Sequence, residues 1–516
     1  MLLGKVLERH ALRKPEATAL VIADRRVTWR ALNAGANRTA HMLLALGARP
    51  GDRILLLLNN SVAFVEAFYG IGKIGCMSAP VMPTMVAPEV VYVARTLRAR
   101  FIIAEAGAEA LARAVADELD CVEAVIGVGA GHGFAHDYAA LQARASDADP
   151  VCAVQADDPV TVKFTSGTTG SPKGCTRSHA GYTMGALSFT HEFPLSAADI
   201  GLIGQPLAAG MALYFLTIYV FAGATTVMLP KFDAGDYLEA VEREKVTHAT
   251  TMDWMMRRLA PHPRFATTDF SSLRILHGIN ILSSLDPLFA QGTFCGGVTA
   301  GYASSEAGGL VTFKTPADFE RCFVDPDAPL RTSCGRAGLV NEVECLDEAG
   351  APVAVGEIGE LAVRGPTLFK GYWERPEDTE RALRAGWLLT GDLAYKDAEG
   401  FIYLRGRARD VVRSAGMNIY PAEVEPVLLA HPKVSEAALI GKPDAEWGEI
   451  AVACVATREP CTEEELIAFC RERLAGHKRP KRIYFFEAMP TTASGKIIKR
   501  ELLALLPDDA PAGARP

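Results

Sequence analysis

The chain has 516 residues, of which 49% are apolar and 22% charged, and its net charge is −8. This length exceeds what one hydrophobic core usually supports, so two or more domains are expected. Because nucleic acids are bound by basic surfaces, the acidic balance argues against DNA or RNA as the main partner. The 11 cysteines show neither a C-x-x-C pair nor a His/Cys metal spacing, which indicates reduced thiols in a cytoplasmic protein.

The N-terminal part of the chain alternates strand-like and helix-like patterns. The first ten residues, MLLGKVLERH, carry charges throughout and lack the apolar core of a signal peptide. Residues 53–58 then predict a fully apolar strand, and residues 61–73 predict a helix. Such alternation predicts an α/β fold of parallel sheets covered by helices. Ligands in these folds bind at the carboxyl ends of the strands.

The sequence FTSGTTGSPKG at residues 164–174 predicts a loop that binds phosphate. Its three glycines permit a tight turn, its hydroxyls and Lys173 can contact phosphate oxygens, and successive backbone N–H groups can form an anion-binding concavity. Residues 157–164 predict a strand that leads into the loop. The Walker template does not apply, because Pro172 and Gly174 flank the lysine. A flexible surface loop is the alternative.

Residues 200–230 contain no charged residue, a length compatible with a membrane span. Pro206, Gly210 and Gly223 interrupt the segment, however, and residues 223–229 look like a separate strand. A buried helix followed by a central strand is therefore the favoured interpretation, and a membrane span is the alternative.

The pattern changes from about residue 339. Short alternating strands at residues 340–346, 359–364 and 401–404, separated by Gly, Pro and Asp turns, predict a small β-barrel-like subdomain within the large N-terminal domain. Strands and helices alternate again from residue 410 to about residue 506, which predicts a small α+β C-terminal domain. The Pro-, Ala- and Asp-rich end of the chain predicts a disordered tail.

Four further elements have the chemistry of a nucleotide site. Asp392 ends a T-G-D turn and can accept hydrogen bonds from ribose hydroxyls, and Arg407 adds a guanidinium. The sequence GYASSE at residues 301–306 offers an aromatic face, a hydroxyl and a carboxylate that could hold Mg²⁺, and Lys496 lies in a second flexible loop. Each element alone has an ordinary structural explanation, such as a capped turn for T-G-D. Together with the phosphate loop they predict nucleotide binding.

Taken in this order, the motifs resemble those of the adenylate-forming (ANL) superfamily, in its acyl-CoA synthetase branch. The resemblance covers nearly the whole chain, includes GYWERP at residues 371–376, and is highly specific. It implies activation of a carboxylic acid by ATP to an acyl-adenylate with release of pyrophosphate, then transfer to a thiol, with Mg²⁺ as cofactor and CoA as cosubstrate. The implied domains are an AMP-binding domain (1–408), a mobile C-terminal domain (409–506) and a disordered tail (507–516).

The resemblance also implies residue roles. Lys496 and Glu306 are the implied catalytic residues: Lys496 would bridge the attacking carboxylate and the adenylate oxygens, and Glu306 would bind Mg²⁺. Asp410 matches the hinge of the C-terminal domain, although a turn cap is its alternative role. The implied nucleotide contacts are Thr165, Ser166, Gly167, Thr168, Thr169, Gly170 and Lys173 at the β- and γ-phosphates, Ser305 at the α-phosphate, Tyr302 at adenine, and Asp392 and Arg407 at ribose. Gly416 belongs to the segment that rotation about the hinge would bring to the site.

Some positions depart from the family pattern. The sequence QPLAAGM at residues 205–211 lacks the aromatic and histidine residues that usually form a gate beside the acyl pocket. An unusual, largely apolar acyl pocket is one interpretation, and compensating changes in the core are the other. The residues predicted to shape this pocket are Ala209, Met211, Trp254, Ile279 and Gly301. An amino acid substrate is not expected, because residues 206–217 lack the Asp that binds an α-amino group in such relatives.

The sequence is therefore interpreted as that of an AMP-forming carboxylic acid–CoA ligase located in the cytoplasm. Neither a nucleic-acid partner nor a membrane span is expected. One alternative is a stand-alone enzyme that loads a carrier-protein phosphopantetheine. CoA is the simpler acceptor, because only about one helix and the tail follow Lys496. A non-catalytic binding protein of the same fold is the other alternative, and the presence of Lys496, Glu306, Asp392 and Arg407 argues against it.

Overall fold

The computed structural model describes residues 1–165, 172–279, 297–324, 329–414, 417–444, 447–491 and 497–507. The chain forms two compact units, one of residues 1–167, 171–343 and 363–388 and the other of residues 168–170, 344–362 and 389–516. The predicted fold class is confirmed, with a large α/β N-terminal part and an α+β C-terminal part. The predicted domain boundary at residues 408/409 marks where the mobile part of the chain begins. It stays a prediction, because the division into compact units does not report motion. The predicted tail lies outside the described residues from 508 onward.

The helices and strands are numbered here in chain order. The helices are α1 (Leu3–Arg13), α2 (Trp29–Ala45), α3 (Val62–Lys73), α4 (Ala87–Leu97), α5 (Glu109–Glu118), α6 (Tyr138–Arg144), α7 (His179–Glu192), α8 (Met211–Ala222), α9 (Ala234–Arg243), α10 (Asp253–Leu259), α11 (Pro316–Val324), α12 (Pro376–Ala382), α13 (Pro421–Leu429), α14 (Glu463–Arg471) and α15 (Lys499–Leu505). The strands are β1 (Thr18–Ile22), β2 (Arg25–Thr28), β3 (Arg53–Leu57), β4 (Met77–Pro80), β5 (Phe101–Glu105), β6 (Ala124–Val128), β7 (His136–Asp137), β8 (Pro159–Thr165), β9 (Lys173–Ser178), β10 (Ile200–Ile203), β11 (Thr225–Met228), β12 (His248–Met252), β13 (Ile275–Ile279), β14 (Gly297–Thr299), β15 (Ala303–Ser304), β16 (Gly309–Leu310), β17 (Thr312–Phe313), β18 (Arg336–Ala337), β19 (Glu342–Leu346), β20 (Gly359–Arg364), β21 (Gly371–Tyr372), β22 (Leu383–Arg384), β23 (Trp387–Lys396), β24 (Ile402–Arg407), β25 (Val412–Ser414), β26 (Met417–Ile419), β27 (Val434–Asp444), β28 (Gly448–Thr457) and β29 (Arg482–Phe485).

Two large sheets organise the first unit. One has the strand order β21-β9-β8-β4-β3-β5-β6-β7, and the other has the order β14-β13-β12-β10-β11-β1-β2. The inner strands pair in parallel, as β3 does with β4 and β5, because helices connect them. The strand and helix predicted at residues 53–73 are confirmed as β3 and α3. Ser61 caps α3, since its side-chain oxygen accepts a hydrogen bond from the N–H of Phe64 at 3.1 Å.

The uncharged segment at residues 200–230 is part of the core of this unit. It contains β10, α8 and β11, and the α8 residues at positions 212–220 are all buried. Gly223 ends α8 in the left-handed conformation, with φ at 73°, and so lets the chain turn back into β11. Strand β11 lies between β10 and β1. The prediction of a buried helix followed by a central strand is therefore confirmed. Within the described ranges, no helix has both the length and the apolarity to cross a bilayer.

The second unit holds a sheet with the order β26-β25-β28-β27 and with β29 beside β28. Side chains alternate between its two faces, as they must in a strand. On one face, Leu439 and Ala453 join a core that includes Leu428 of α13 and Leu466 of α14. On the other face, their strand neighbours, such as Ile440, pack with Leu502 of α15. The unit is therefore an α+β sandwich with its own core.

Two buried histidines make the stability of the first unit depend on pH. Burial lowers the pKa of His179 to about 4 and that of His277 to about 3, from an ordinary value of 6.5. Between those values and pH 6.5 the unfolded chain binds more protons than the folded chain. This contribution to the unfolding free energy is therefore complete above pH 6.5. It falls by at most about 1.4 kcal/mol per pH unit for each histidine as the pH drops.

We therefore expect the variant His277→Gln to lose less stability on acidification than the wild type. Between pH 6 and pH 4 its unfolding free energy should fall less steeply, by up to about 1.4 kcal/mol per pH unit, because one titrating group is gone. Urea unfolding over a pH series measures the two slopes, and the difference at pH 8 gives the pH-independent cost of the substitution. Parallel slopes would contradict the assignment of a buried neutral imidazole.

Candidate functional site

The predicted phosphate loop joins two paired strands of the first unit. Strand β8 is confirmed where a strand was predicted, and it runs parallel to β4 with Thr161 opposite Ser78. Strand β9 returns antiparallel to it, with Lys173 opposite Thr165. The loop therefore follows the carboxyl end of β8, where α/β folds bind ligands. Thr165 is described only as the last residue of β8, and Ser166, Gly167, Thr168, Thr169 and Gly170 lie outside the described residues.

The side chain of Lys173 is held at the start of β9. Its Nζ lies 3.1 Å from Oδ1 of Asp378 and 4.9 Å from the centre of the Tyr372 ring. Asp378 also forms an ion pair with Arg381 of α12. Burial alone would raise the pKa of Asp378, but hydrogen bonds from Lys173 and Arg381 outweigh it and lower that pKa. The carboxylate is therefore charged at neutral pH and holds the lysine beside the ring.

Residues 367–373 connect the phosphate hairpin to the segment that follows β14. On one side, Tyr372 of β21 lies opposite Cys175 of β9, and the N–H of Trp373 donates to the carbonyl of Gly174 at 2.8 Å. On the other side, the N–H of Phe369 donates to the carbonyl of Glu306 at 2.9 Å. This backbone clamp brings two sequence motifs together that are more than 130 residues apart.

Glu306 reaches the same tyrosine ring with its side chain. The hydroxyl of Tyr372 donates to Oε1 of Glu306 at 2.9 Å. Burial, and then the charge of Glu306, raise the pKa of Tyr372, so the hydroxyl stays protonated and remains a donor. The structure thus places Lys173 and Glu306, a predicted phosphate ligand and a predicted metal ligand, around one ring. The carboxylate of Glu306 is the hard oxygen donor that Mg²⁺ prefers, and the ammonium of Lys173 is a cation suited to phosphate.

Ser305 and Glu306 lie on a tight turn. The N–H of Gly308 donates to the carbonyl of Ser305 at 3.2 Å, and the hydroxyl of Thr367 donates to the carbonyl of Ala307 at 2.8 Å. Gly308 has φ at 83°, and a Cβ there would lie 1.8 Å from the carbonyl oxygen of Thr367. The turn therefore requires glycine at position 308 for two reasons, backbone conformation and close approach.

We expect Gly308→Ala to destabilise the first unit by roughly 3 kcal/mol, the sum of left-handed strain and overpacking. The matched control is Gly129→Ala. Gly129 has φ at 90° but open space around it, so only the strain of about 1–2 kcal/mol should appear. Urea unfolding measures both variants. Equal losses in the two would show that the Thr367 carbonyl does not restrict position 308.

Tyr302 and Gly301 lie between β14 and this turn. Tyr302 is buried, with 7% of its surface exposed, and its N–H donates to Oγ1 of Thr312 at 2.8 Å. A Cβ on Gly301 would lie 2.0 Å from the carbonyl oxygen of Thr312. The backbone of this segment therefore packs closely against β17. The contact of Tyr302 with adenine remains a prediction.

The second unit brings Asp392 and Arg407 together. They lie opposite each other on β23 and β24, and Nε of Arg407 is 2.9 Å from Oδ1 of Asp392. A second guanidinium nitrogen of Arg407 donates to the carbonyl of Thr390 at 2.9 Å. Gly391 lies between Thr390 and Asp392 in the chain and has φ at 73°. The two residues predicted to contact ribose thus form one ion pair, and the arginine orients the carboxylate.

Of the other predicted site residues in the second unit, Asp410 is among the described residues. Asp410 ends a 3₁₀ turn after β24, and its Oδ1 lies 3.4 Å from Nε of the neighbouring Arg409. That contact is compatible with a hinge and with a turn cap, so the hinge stays a prediction. Lys496 and Gly416 lie outside the described residues.

The residues predicted to shape an acyl pocket all lie in the first unit. The carbonyl of Ala209 accepts a hydrogen bond from Nζ of Lys163, and Met211 begins α8 and packs against the largest core cluster. Trp254 of α10 packs against a different cluster, with its ring 5.0 Å from that of Phe232. Ile279 is described only as the end of β13. The pocket remains a prediction.

Reasoning from the sequence did not assign a role to Tyr372 or Asp378. Both belong to the stretch GYWERPED at residues 371–378, whose first six residues carry part of the family resemblance. The signal in the sequence is an aromatic residue beside a glycine. The φ of that glycine, Gly371, is 124° in the structure, and the sequence alone does not reveal this conformation. Their contacts with Lys173 and Glu306 depend on pairing between distant strands.

Comparisons with known proteins show the family of the chain. The family model of the AMP-binding enzymes matches residues 7–373, and that of their C-terminal domain matches residues 423–496. Long-chain-fatty-acid–CoA ligase FadD13 of Mycobacterium tuberculosis is 33% identical over 507 residues, covering 97% of each chain. Feruloyl-CoA synthase of an Amycolatopsis species is 34% identical over 505 residues, covering 97% of this chain and 98% of the relative.

A solved structure shows the same fold. O-succinylbenzoate coenzyme A synthetase (MenE) from Bacillus subtilis, in complex with ATP and magnesium ion, superposes with a TM-score of 0.84 at 28% identity, covering 96% of this chain and 98% of that chain. The match extends over both compact units, and the two family models lie in the order that the motifs predict. The chain belongs to the AMP-binding enzyme family, in the acyl-CoA ligase branch of the adenylate-forming superfamily.

Proposed function

We propose that the protein activates a carboxylic acid with ATP, forming an acyl-adenylate and pyrophosphate, and then transfers the acyl group to the thiol of CoA. The observation that carries this proposal is the arrangement of Lys173, Tyr372 and Glu306 next to the phosphate hairpin, in a chain of the AMP-binding enzyme family. The donors fit the substrate: Lys173 would contact the phosphates and Glu306 would hold their metal ion.

In the first half-reaction a carboxylate oxygen attacks the α-phosphorus, and the bond to the bridging oxygen of pyrophosphate breaks. Negative charge builds up on the phosphate oxygens, so aligned cations stabilise the transition state. Lys173 would neutralise the departing phosphates, while Asp378 and the Tyr372 ring fix its position. Glu306 would hold Mg²⁺, which supplies further positive charge when bound. Lys496 would bridge the carboxylate and the α-phosphate oxygens.

In the second half-reaction the sulfur of CoA attacks the acyl carbon, the thiol proton passes to solvent, and AMP leaves with the electron pair of the carbon–oxygen bond. Lys496 is not needed for this step, because AMP is already a stable leaving group. We propose that the C-terminal domain withdraws the lysine by rotation about Asp410 and brings the segment of Gly416 to the site. The support for this step is the family resemblance of residues 409–419.

Asp392 should contribute to ATP binding through the ribose hydroxyls. The variant Asp392→Ala is expected to raise the KM for ATP about 10- to 100-fold, since a hydrogen bond to a charged group is worth about 1.5–3 kcal/mol. Initial rates over an ATP series measure this change.

The matched control is Lys396→Met, which breaks the ion pair of Lys396 with Glu344 at the carboxyl end of the same strand. This variant should leave the KM unchanged. If the two substitutions raise the KM equally, the effect of Asp392 comes from the sheet and not from ribose.

The acid substrate is proposed to have a largely apolar body. Ala208 and Ala209 are small side chains where gate residues are usual, and Met211 and Trp254 are larger apolar side chains predicted to shape the pocket. The relatives named above support this class, since one acts on long-chain fatty acids and the other is a feruloyl-CoA synthase. We further expect the enzyme to work in the cytoplasm, where its thiols stay reduced; the described cysteines are all thiols.

The test is pyrophosphate release from ATP with pooled carboxylic acids, with and without CoA, with products identified by mass spectrometry. Acid-dependent release that yields an acyl-CoA supports the proposal and names the acid. Release that yields only acyl-AMP with CoA present would move the acceptor to a carrier-protein phosphopantetheine. Failure of every acid pool, including fatty and aromatic acids, would contradict the proposed activity.

A further inference from the structure

Three metal-binding side chains meet in the second unit, in a part of the sequence that carries none of the adenylation motifs. One ligand atom from each of His431, Cys461 and Glu465 lies within 4.8 Å of the other two. His431 lies in the turn between α13 and β27, where its N–H donates to the carbonyl of Leu428 at 3.1 Å. Cys461 comes just before α14, and Glu465 is in the first turn of that helix.

Local structure positions two of these residues. The imidazole of His431 is buried, with its side chain 8% exposed, and its ring centre is 4.8 Å from that of Phe469 in an edge-to-face contact. The N–H of Glu465 donates to Oγ1 of Thr462, the N-cap of α14, at 3.2 Å. The backbone position of the glutamate is therefore set by the helix cap, and the imidazole is held by aromatic packing.

The spacing suits a small tetrahedral ion. With metal–ligand bonds of roughly 2.0–2.1 Å, a nitrogen and an oxygen ligand at the tetrahedral angle are about 3.4 Å apart. Nε2 of His431 and Oε1 of Glu465 are 3.5 Å apart. Imidazole, thiolate and carboxylate together favour zinc over magnesium or calcium, which take oxygen ligands.

Lys433 is the competitor of such an ion. Its Nζ lies 2.9 Å from Oε1 of Glu465, so the ammonium already neutralises the carboxylate. The backbone N–H of Lys433 also donates to Nδ1 of His431 at 3.4 Å. This long hydrogen bond must open when a metal binds, because coordination through Nε2 leaves the ring proton on Nδ1. Both contacts weaken metal binding.

We propose that His431, Cys461 and Glu465 form a zinc site in the second unit, with a fourth position for water. On binding, the thiol of Cys461 releases its proton to solvent, and the ammonium of Lys433 leaves the carboxylate while keeping its charge. The ion ties the end of α13 to the start of α14. Because Lys433 opposes it, the dissociation constant is on the order of micromolar rather than the tighter value of dedicated structural sites.

The test uses the full-length protein, freed of metal, with Co²⁺ as a spectroscopic probe for Zn²⁺. Wild type should show a near-ultraviolet thiolate-to-cobalt band that saturates at one equivalent and disappears when Zn²⁺ is added. Cys461→Ser should abolish this band and weaken Zn²⁺ binding at least roughly 100-fold. Lys433→Met should tighten Zn²⁺ binding about tenfold, because it removes a positive charge close to the site.

The matched control is Cys121→Ser, which removes another partly buried thiol from the other unit and should leave the band unchanged. Loss of the band in Cys121→Ser, or its persistence in Cys461→Ser, would overturn the proposal. So would tighter binding by wild type than by Lys433→Met. Circular dichroism of each variant establishes that the fold is intact. The experiment does not depend on the proposed ligase activity.

Discussion

Substitution of Glu306 by glutamine is expected to slow acyl-adenylate formation about 100- to 1000-fold, the effect of removing one aligned group from a charged transition state. The amide keeps the size of the side chain and can still accept a hydrogen bond from Tyr372, whose hydroxyl lies 2.9 Å away. It loses the negative charge that would hold Mg²⁺. The measurement is acid-dependent pyrophosphate release over a series of Mg²⁺ concentrations, where the variant should need more Mg²⁺ than wild type.

Tyr372→Phe separates the positioning of Glu306 from its charge. It removes one hydrogen bond to a carboxylate, so we expect a loss of about tenfold, near the lower end of the range for such bonds. The ring that supports Lys173 stays in place. Should Glu306→Gln show the activity and Mg²⁺ requirement of wild type, the assignment of Glu306 as the metal ligand would be wrong.

Lys496→Ala is expected to slow the first half-reaction but not the second. Acyl-adenylate formation should fall about 100- to 1000-fold, because an aligned cation is lost from the α-phosphate. Thioester formation from a supplied acyl-adenylate and CoA should proceed at nearly the wild-type rate, since the bonds that form and break in that step lie at the acyl carbon and Lys496 is proposed to be withdrawn from the site by then. Rapid-quench assays of each half-reaction measure the two rates separately. The Mg²⁺ requirement should stay that of wild type, unlike the result for Glu306→Gln.

The control for this variant is Lys481→Ala, which removes another lysine of the same unit whose ammonium lies beside the Trp447 ring. Both half-reactions should be unaffected. Equal losses in the two half-reactions of Lys496→Ala would contradict a role confined to adenylation and would point to a general defect of the C-terminal domain.

Local patterns predicted the elements that carry the site but not the contacts between them. The strand before the phosphate loop, the buried helix α8 and the strand after it follow from apolar periodicity and from Gly and Pro positions. The resemblance named Lys173 and Glu306 from short motifs. Their meeting at Tyr372 could not be predicted, because it depends on β21 pairing with β9, almost 200 residues earlier.

In the second unit, too, the sequence predicted individual residues but not the contacts between them. Asp392 and Arg407 were predicted separately as ribose contacts, and the structure makes them one ion pair because β23 and β24 align them. His431, Cys461 and Glu465 carry no metal-binding spacing in the sequence, since 30 residues separate the first two. Packing of α13 and α14 over one sheet brings them together. Register between distant elements is a property of the whole core, which periodicity does not encode.

The most direct measurement of the central claim follows the oxygen atoms of the acid. The enzyme is given ATP, CoA and an accepted carboxylic acid labelled with ¹⁸O in both carboxylate oxygens, and the products are analysed by mass spectrometry. If the carboxylate attacks the α-phosphorus, one ¹⁸O appears in AMP, one stays in the acyl-CoA, and none enters pyrophosphate. Label in inorganic phosphate, with ADP as the nucleotide product, would contradict adenylation.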